Sequence, residues 1–133
     1  MIPRIYYQKF KWKRACIYDR IVIDSLSDSL EQYLNVTSLR QKLVTSNIAN
    51  ADTPGYKTQD VDFQASLQAA LAGEQPRPIA VSGLAVRNDG NNVDLDREAR
   101  LLAENAMRFN VAASLLHSEI EQVKEAIQGG KGA

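Results

Sequence analysis

Apolar side chains recur most regularly near the end of the chain. Leu95, Ala99, Leu102, Ala106, Phe109, Ala113, Leu116, Ile120, Val123 and Ile127 follow one another in alternating steps of four and three. That spacing is a heptad seam, and the intervening Glu98, Arg100, Glu104, Arg108, Glu119, Glu121, Lys124 and Glu125 fall on other faces. No proline interrupts the run. Asp94 or Asp96 is placed to cap the first amides, and Gly129–Gly130 supplies a stop. The pattern predicts a helix over residues 94–128, roughly 50 Å long, followed by a tail at 129–133. A helix of that length is marginal alone, so its seam (Ala99, Leu102, Ala106, Phe109, Ala113, Leu116, Ile120, Val123, Ile127) requires a second helix. Whether that helix belongs to the same chain or to a neighbour is open at this level.

An internal candidate lies earlier. Leu26, Leu30, Tyr33, Val36, Leu39, Leu43, Val44 and Ile48 form a less regular stripe, predicting a helix over 23–52 that begins at Ser25 or Ser27. Pro54 disfavours helical backbone at Thr53, and Pro54-Gly55 suits the centre of a type II turn. Residues 53–93 read as a turn and connector. Phe63, Leu67 and Leu71 share one face of a short helix over 63–71, and Ile79, Val81, Leu84 and Val86 suit short extended pieces. Gly73, Pro76, Pro78, Gly83 and Gly90 predict a flexible connector that orders against partners. The fold class is therefore mainly α: long N- and C-terminal helices pairing as an α-helical hairpin or coiled coil, joined by a partly irregular connector.

Composition narrows the function more by exclusion. The chain has 133 residues, 44% apolar and 24% charged, with sixteen basic and sixteen acidic side chains. Zero net charge gives no argument for nucleic acid as a partner and is compatible with packing many copies together. The basic residues are uneven: Arg4, Lys9, Lys11, Lys13, Arg14 and Arg20 lie beside Tyr6, Tyr7, Phe10, Trp12 and Tyr18. Residues 1–22 thus form a basic aromatic extension, read as a disordered leader or as sequence upstream of the true start. A segment of this kind also suits an anionic membrane or a nucleic-acid backbone. The single Cys16 rules out an internal disulfide framework. No apolar run approaches the roughly 20 residues of a membrane span, and no secretory h-region follows the basic start.

Candidate chemistry is sparse. His117 is the only histidine, and no zinc-like cysteine set, calcium loop or phosphate cradle is present. The acidic run from Asp89 to Asp96 reads as a turn leading into an acidic helix start. Asn35-Val36-Thr37 matches a glycosylation pattern inside a predicted helix, which reads as chance. The chain calls for no catalytic residue, cofactor or metal, and an enzyme is not expected.

Ser46-Asn47-Ile48-Ala49-Asn50-Ala51-Asp52-Thr53-Pro54-Gly55-Tyr56-Lys57 resembles the N-terminal signature of the bacterial flagellar rod and hook protein family. Asp60-Val61-Asp62-Phe63, and Asp89-Gly90-Asn91-Asn92-Val93-Asp94-Leu95-Asp96-Arg97-Glu98, resemble the proximal-rod, B-type branch of that family. The resemblance covers about residues 24–128. It implies a structural subunit of the periplasmic flagellar rod, exported by the flagellar type III apparatus and assembled through its terminal helices. It implies as partners other rod subunits, the rod-to-membrane-ring adaptor and the export gate, along with self-association. Asn47, Asn50, Thr53, Pro54, Gly55, Tyr56, Asn91, Asn92, Asp94, Leu95 and Asp96 carry over as an assembly signature. Two other readings stay beside it: a generic coiled-coil adaptor, and a nucleic-acid-binding protein that uses the basic opening.

Overall fold

The computed structural model describes the backbone of residues 4–129 and the side chains of residues 25–129. In chain order the elements are α1 (Arg4–Ala49), β1 (Gln59–Asp60), α2 (Phe63–Leu71), β2 (Ile79–Ala80) and α3 (Leu95–Gly129). At 1.5 Å per residue, α1 spans about 69 Å and α3 about 52 Å. The two run antiparallel, since Asn47 meets Glu98 while Thr37 meets Asn105. The fold is a long helical hairpin with α2 docked on α1 and a minimal antiparallel β1–β2 pair beside it.

The first helix starts upstream of the Ser25 or Ser27 boundary that its apolar stripe suggested. Nothing between Arg4 and Asp24 is Gly or Pro, so no residue there obliges the helix to stop. Ser29 remains helical, its hydroxyl donating to the Ser25 carbonyl at 2.7 Å. The roles read for the basic and aromatic side chains of 1–22 lie outside the described side chains.

The starts of α2 and α3 are capped by aspartates. Asp62 caps α2 by accepting from the Ala65 amide at 3.0 Å. Asp94 does the same for α3, its Oδ1 accepting from Asp96 N at 3.0 Å and Arg97 N at 3.1 Å. The α2 helix is fixed by Phe63, which lies edge-on to Tyr33 with ring centroids 5.1 Å apart. The Arg108 guanidinium of α3 sits over the same Phe63 ring at 4.9 Å, so one aromatic ties three helices together.

The apolar core is thin. Val36, Val44, Ala51, Val61, Ala70 and Ala112 are its buried hydrophobic members. Buried beside them are the polar residues Thr37, Asn47, Thr58, Asp60, Ser66, Asn91, Asn92, Glu98, Asn105 and Glu119. Polar groups taken out of water must find partners, and most of these find theirs where the hairpin closes.

The connector read as flexible is tied to itself by backbone hydrogen bonds. Val81 N donates to Thr58 O at 2.9 Å, and Arg87 N to Asn91 O at 2.8 Å. Glycine and proline content correctly marks the turns but does not register the side-chain hydrogen bonds that hold them.

Candidate functional site

The α3 helix does not turn its predicted seam squarely toward α1. The positions buried along it are Glu98, Asn105, Ala112 and Glu119. Of the expected seam, Leu102, Ala113 and Leu116 are half-buried. Ala99, Ala106, Phe109, Ile120, Val123 and Ile127 are exposed. The buried heptad therefore lies one residue before Ala99, Ala106, Ala113 and Ile120, a helix rotation of about 100°. Hydrogen bonds meet α1 from this face. Asn105 Nδ2 donates to Thr37 O at 2.9 Å and to Gln41 Oε1 at 2.8 Å, which pins a polar position against α1.

Where α1 ends, the two sequence signatures grip each other. The Asn91 carboxamide nitrogen faces three carbonyls of the turn that follows α1: Asn50 O at 2.9 Å, Ala51 O at 3.1 Å and Thr53 O at 2.8 Å. Its Oδ1 accepts from Val93 N at 2.7 Å, holding the side chain's own loop in place. Arg87 also donates to Ala51 O. Carbonyls at and just beyond a helix C-terminus need donors of this kind, and here a distant loop supplies them. Asn92 extends the grip, with Oδ1 accepting from Thr58 N at 2.8 Å and its carbonyl from Thr58 Oγ1 at 3.1 Å.

Two glycines stand where the two turns meet. Gly55 has φ +74° and Gly90 φ +82°, a left-handed backbone that side chains disfavour. A Cβ on Gly90 would stand 3.5 Å from Gly55 Cα. Gly55 N meanwhile donates to Asp89 O at 2.8 Å, and Lys57 Nζ to Gly90 O at 2.6 Å. What calls for glycine at both positions is the left-handed backbone, since a Cβ on Gly55 would meet nothing within 4 Å.

Beneath this clasp lies a buried polar network. Asn47 Nδ2 donates to Gln59 O at 2.7 Å and Glu98 Oε2 at 2.9 Å. Its Oδ1 accepts from Gln59 N and from Tyr56 OH, both at 3.1 Å. Both donors and both acceptor sites of the amide are thus in use. Asp60 receives Arg40 Nε at 3.1 Å from α1 and Arg97 Nη2 at 2.6 Å from α3. Arg97 also reaches Glu98, which is fully buried. Two cations and two anions balance, so this end of the hairpin buries ionised groups without a net charge.

The structure therefore brings Asn47, Thr53, Gly55, Tyr56, Asn91 and Asn92 of the expected signature into one place. Asn50 lies at its edge, where its Nδ2 donates to Ser46 O and its Oδ1 accepts from Thr53 Oγ1. Asp94 serves α3 as its cap, while Pro54, Leu95 and Asp96 are exposed. Arg40, Thr58, Asp60, Arg87, Arg97, Glu98 and Asn105 were not among the expected site residues, although Asp60, Arg97 and Glu98 stand in the quoted motifs. Arg40, Arg97 and Glu98 were visible as charges on helical segments, whereas Thr58, Asp60 and Arg87 lie in the connector and Asn105 is uncharged. Among the described residues no cluster of His, Cys, Asp or Glu is arranged to hold a metal ion. No described helix is long and apolar enough to cross a membrane.

Residues 34–57, the end of α1 and its turn, match the family model described as flagella basal body rod protein. The chain is 31% identical over 137 residues to the flagellar basal body rod protein FlgB of Salmonella typhimurium, covering 82% of this chain and 99% of that one. It belongs to the FlgB family of flagellar basal body rod proteins. A FlgB protein of Cereibacter sphaeroides is 36% identical over 115 residues, spanning 74% of this chain and 90% of its own. The FlgB protein of Borrelia hermsii is 29% identical over 127 residues, spanning 76% and 94%. As a FlgB-family member the chain is a structural subunit of the flagellar basal body rod rather than an enzyme, and it associates with other rod components. The generic coiled-coil adaptor and the nucleic-acid reading are left without support.

Proposed function

We propose that this chain forms part of the proximal rod, exported by the flagellar type III apparatus and assembled in the periplasm through α1 and α3 into the axial drive structure. Its partners on this reading are neighbouring rod subunits, further copies of itself, the rod-to-membrane-ring adaptor and the export gate. The signature residues at the clasp act in assembly by fixing the shape of the hairpin rather than by touching a ligand.

One observation carries the reading: α3 leaves large apolar side chains in water along most of its length. Met107 is 65% exposed, Val111 61% and Ile127 58%. Exposed apolar side chains of this kind, grouped on α3, mark an interaction face. An open groove of 330 Å³ between α1 and α3, lined by Leu30, Tyr33, Met107, Val111 and Leu115, belongs to it. Contacts that do not close a ring propagate as a helical filament, the form a rod requires.

The test is complementation of a strain lacking its own FlgB protein. Recovery of motility, with the chain present in purified basal bodies, is the expected result. Absence from basal bodies of a chain that is stably expressed and folded would refute the reading.

A further inference from the structure

Three of the four positions that α3 buries at seven-residue intervals are polar: Glu98, Asn105 and Glu119, with Ala112 between them. One residue further along, at Ala99, Ala106, Ala113 and Ile120, runs the apolar stripe. Hydrophobic burial favours the stripe, at about 25 cal/mol for each Å² of apolar area. A helix rotated by about 100° would cover it. The observed face is nonetheless the polar one.

What holds it there is specific. Glu98 is 0% exposed and Asn105 2%. Asn47 Nδ2 donates to Glu98 Oε2 at 2.9 Å, and Asn105 Nδ2 to Thr37 O at 2.9 Å and Gln41 Oε1 at 2.8 Å. Rotation of α3 would carry both residues off these partners and strand polar groups in the hairpin. Buried polar side chains in helix seams fix register and orientation while giving up stability that an apolar residue would add. Asn105 fits that description closely, since its Oδ1 has no hydrogen-bond partner at all.

We propose that Glu98 and Asn105 are registry anchors: they select the face that α3 turns to α1 and thereby keep the stripe through Phe109, Ile120 and Ile127 outward. The anchoring concerns the free hairpin. Only the use of the outward stripe in assembly rests on the rod reading above.

Thiol accessibility reads the rotation directly. In the full chain with Cys16→Ser, a single reporter is introduced as Ala106→Cys, which is exposed, or as Ala112→Cys, which is buried. With the anchors intact, iodoacetamide is expected to alkylate the first at least about tenfold faster than the second. Asn105→Leu is expected to retain the helical content and thermal midpoint, and to collapse that ratio by about tenfold. Glu98→Gln, which keeps the shape and an acceptor for Asn47, is expected to leave the ratio within about twofold. An unchanged ratio in folded Asn105→Leu would overturn the proposal. So would loss of helix in that variant, because Asn105 would then supply stability rather than a choice of face. If the ratio collapses while the variant still enters basal bodies normally, the anchors stand and the assembly role of the stripe falls.

Discussion

The Asn91 side chain reaches across the chain to close the end of another element. Its two N–H groups serve three carbonyls of the turn that follows α1, and its oxygen steadies the loop it comes from. Asn91→Ala strips these partners from carbonyls in a buried setting, so urea unfolding should show a loss of about 1–3 kcal/mol. An unaltered midpoint would mean that water replaces the amide there. At Asp60 the effect is electrostatic. Removing the carboxylate leaves Arg40 and Arg97, with side chains 13% and 21% exposed, facing each other without their shared anion. Asp60→Ala is expected to cost about 2–4 kcal/mol, and the cycle with Arg40→Ala to be non-additive by about 1–3 kcal/mol. Strict additivity in that cycle would show that the pair is screened by water. Gly90→Ala meets both a left-handed backbone and the Gly55 Cα at 3.5 Å. Its expected cost is about 1–2 kcal/mol or somewhat more, read from the shift in denaturant midpoint.

Among the elements, α3 divides its surface between two tasks. The side against α1 is held by hydrogen bonds, and the adjoining stripe is left for other chains. Ile120→Asp with Ile127→Asp changes residues that are 45% and 58% exposed, so each should alter stability of the isolated protein by no more than about 0.5 kcal/mol. Incorporation into basal bodies should nevertheless fall sharply. Val44→Ala, at a position 1% exposed, should do the reverse, costing about 2 kcal/mol with little specific effect on assembly. Equal behaviour of the two variants would remove the distinction between the faces. This division also explains what could be read from the sequence. The heptad spacing of Leu102, Phe109 and Leu116 revealed a long helix and its need for a partner. It could not reveal that Glu98 and Asn105 point inward, because periodicity registers apolar residues and these are polar. The clasp was hidden for a related reason. Asn91 and Asn50 carry the marks of turns, and nothing in local pattern says that two turns some forty residues apart will share hydrogen bonds. The start of α1 was misplaced because Ser25 and Ser27 resemble caps, whereas a continuous helix-compatible run precedes them.

For the molecule as a whole, stability is concentrated at one pole. Asn47, Thr58, Asn91 and Glu98 are fully buried there. Toward the other end of α3, residues 122–129 are all exposed. Cooperative protection follows buried contacts. Amides of residues 40–60 and 91–105 are therefore expected to exchange most slowly in the free protein, and those of 120–129 to exchange orders of magnitude faster. Uniform protection along α3 would contradict this gradient. A helix that frays at one end and is locked at the other can meet a neighbour through its loose portion without endangering the fold.

The peptide between Val81 and Arg87 bears on what else this scaffold tolerates. Val81 is tied to Thr58 on one side and Arg87 to Asn91 on the other, while Ser82, Gly83, Ala85 and Val86 lie in solvent. Lengthening a solvent loop costs little, about 0.6 kcal/mol for each doubling. The hairpin is thus a handle with a ready splice point: cargo grafted at Ser82–Gly83 would leave both moorings in place and hang clear of the two long helices.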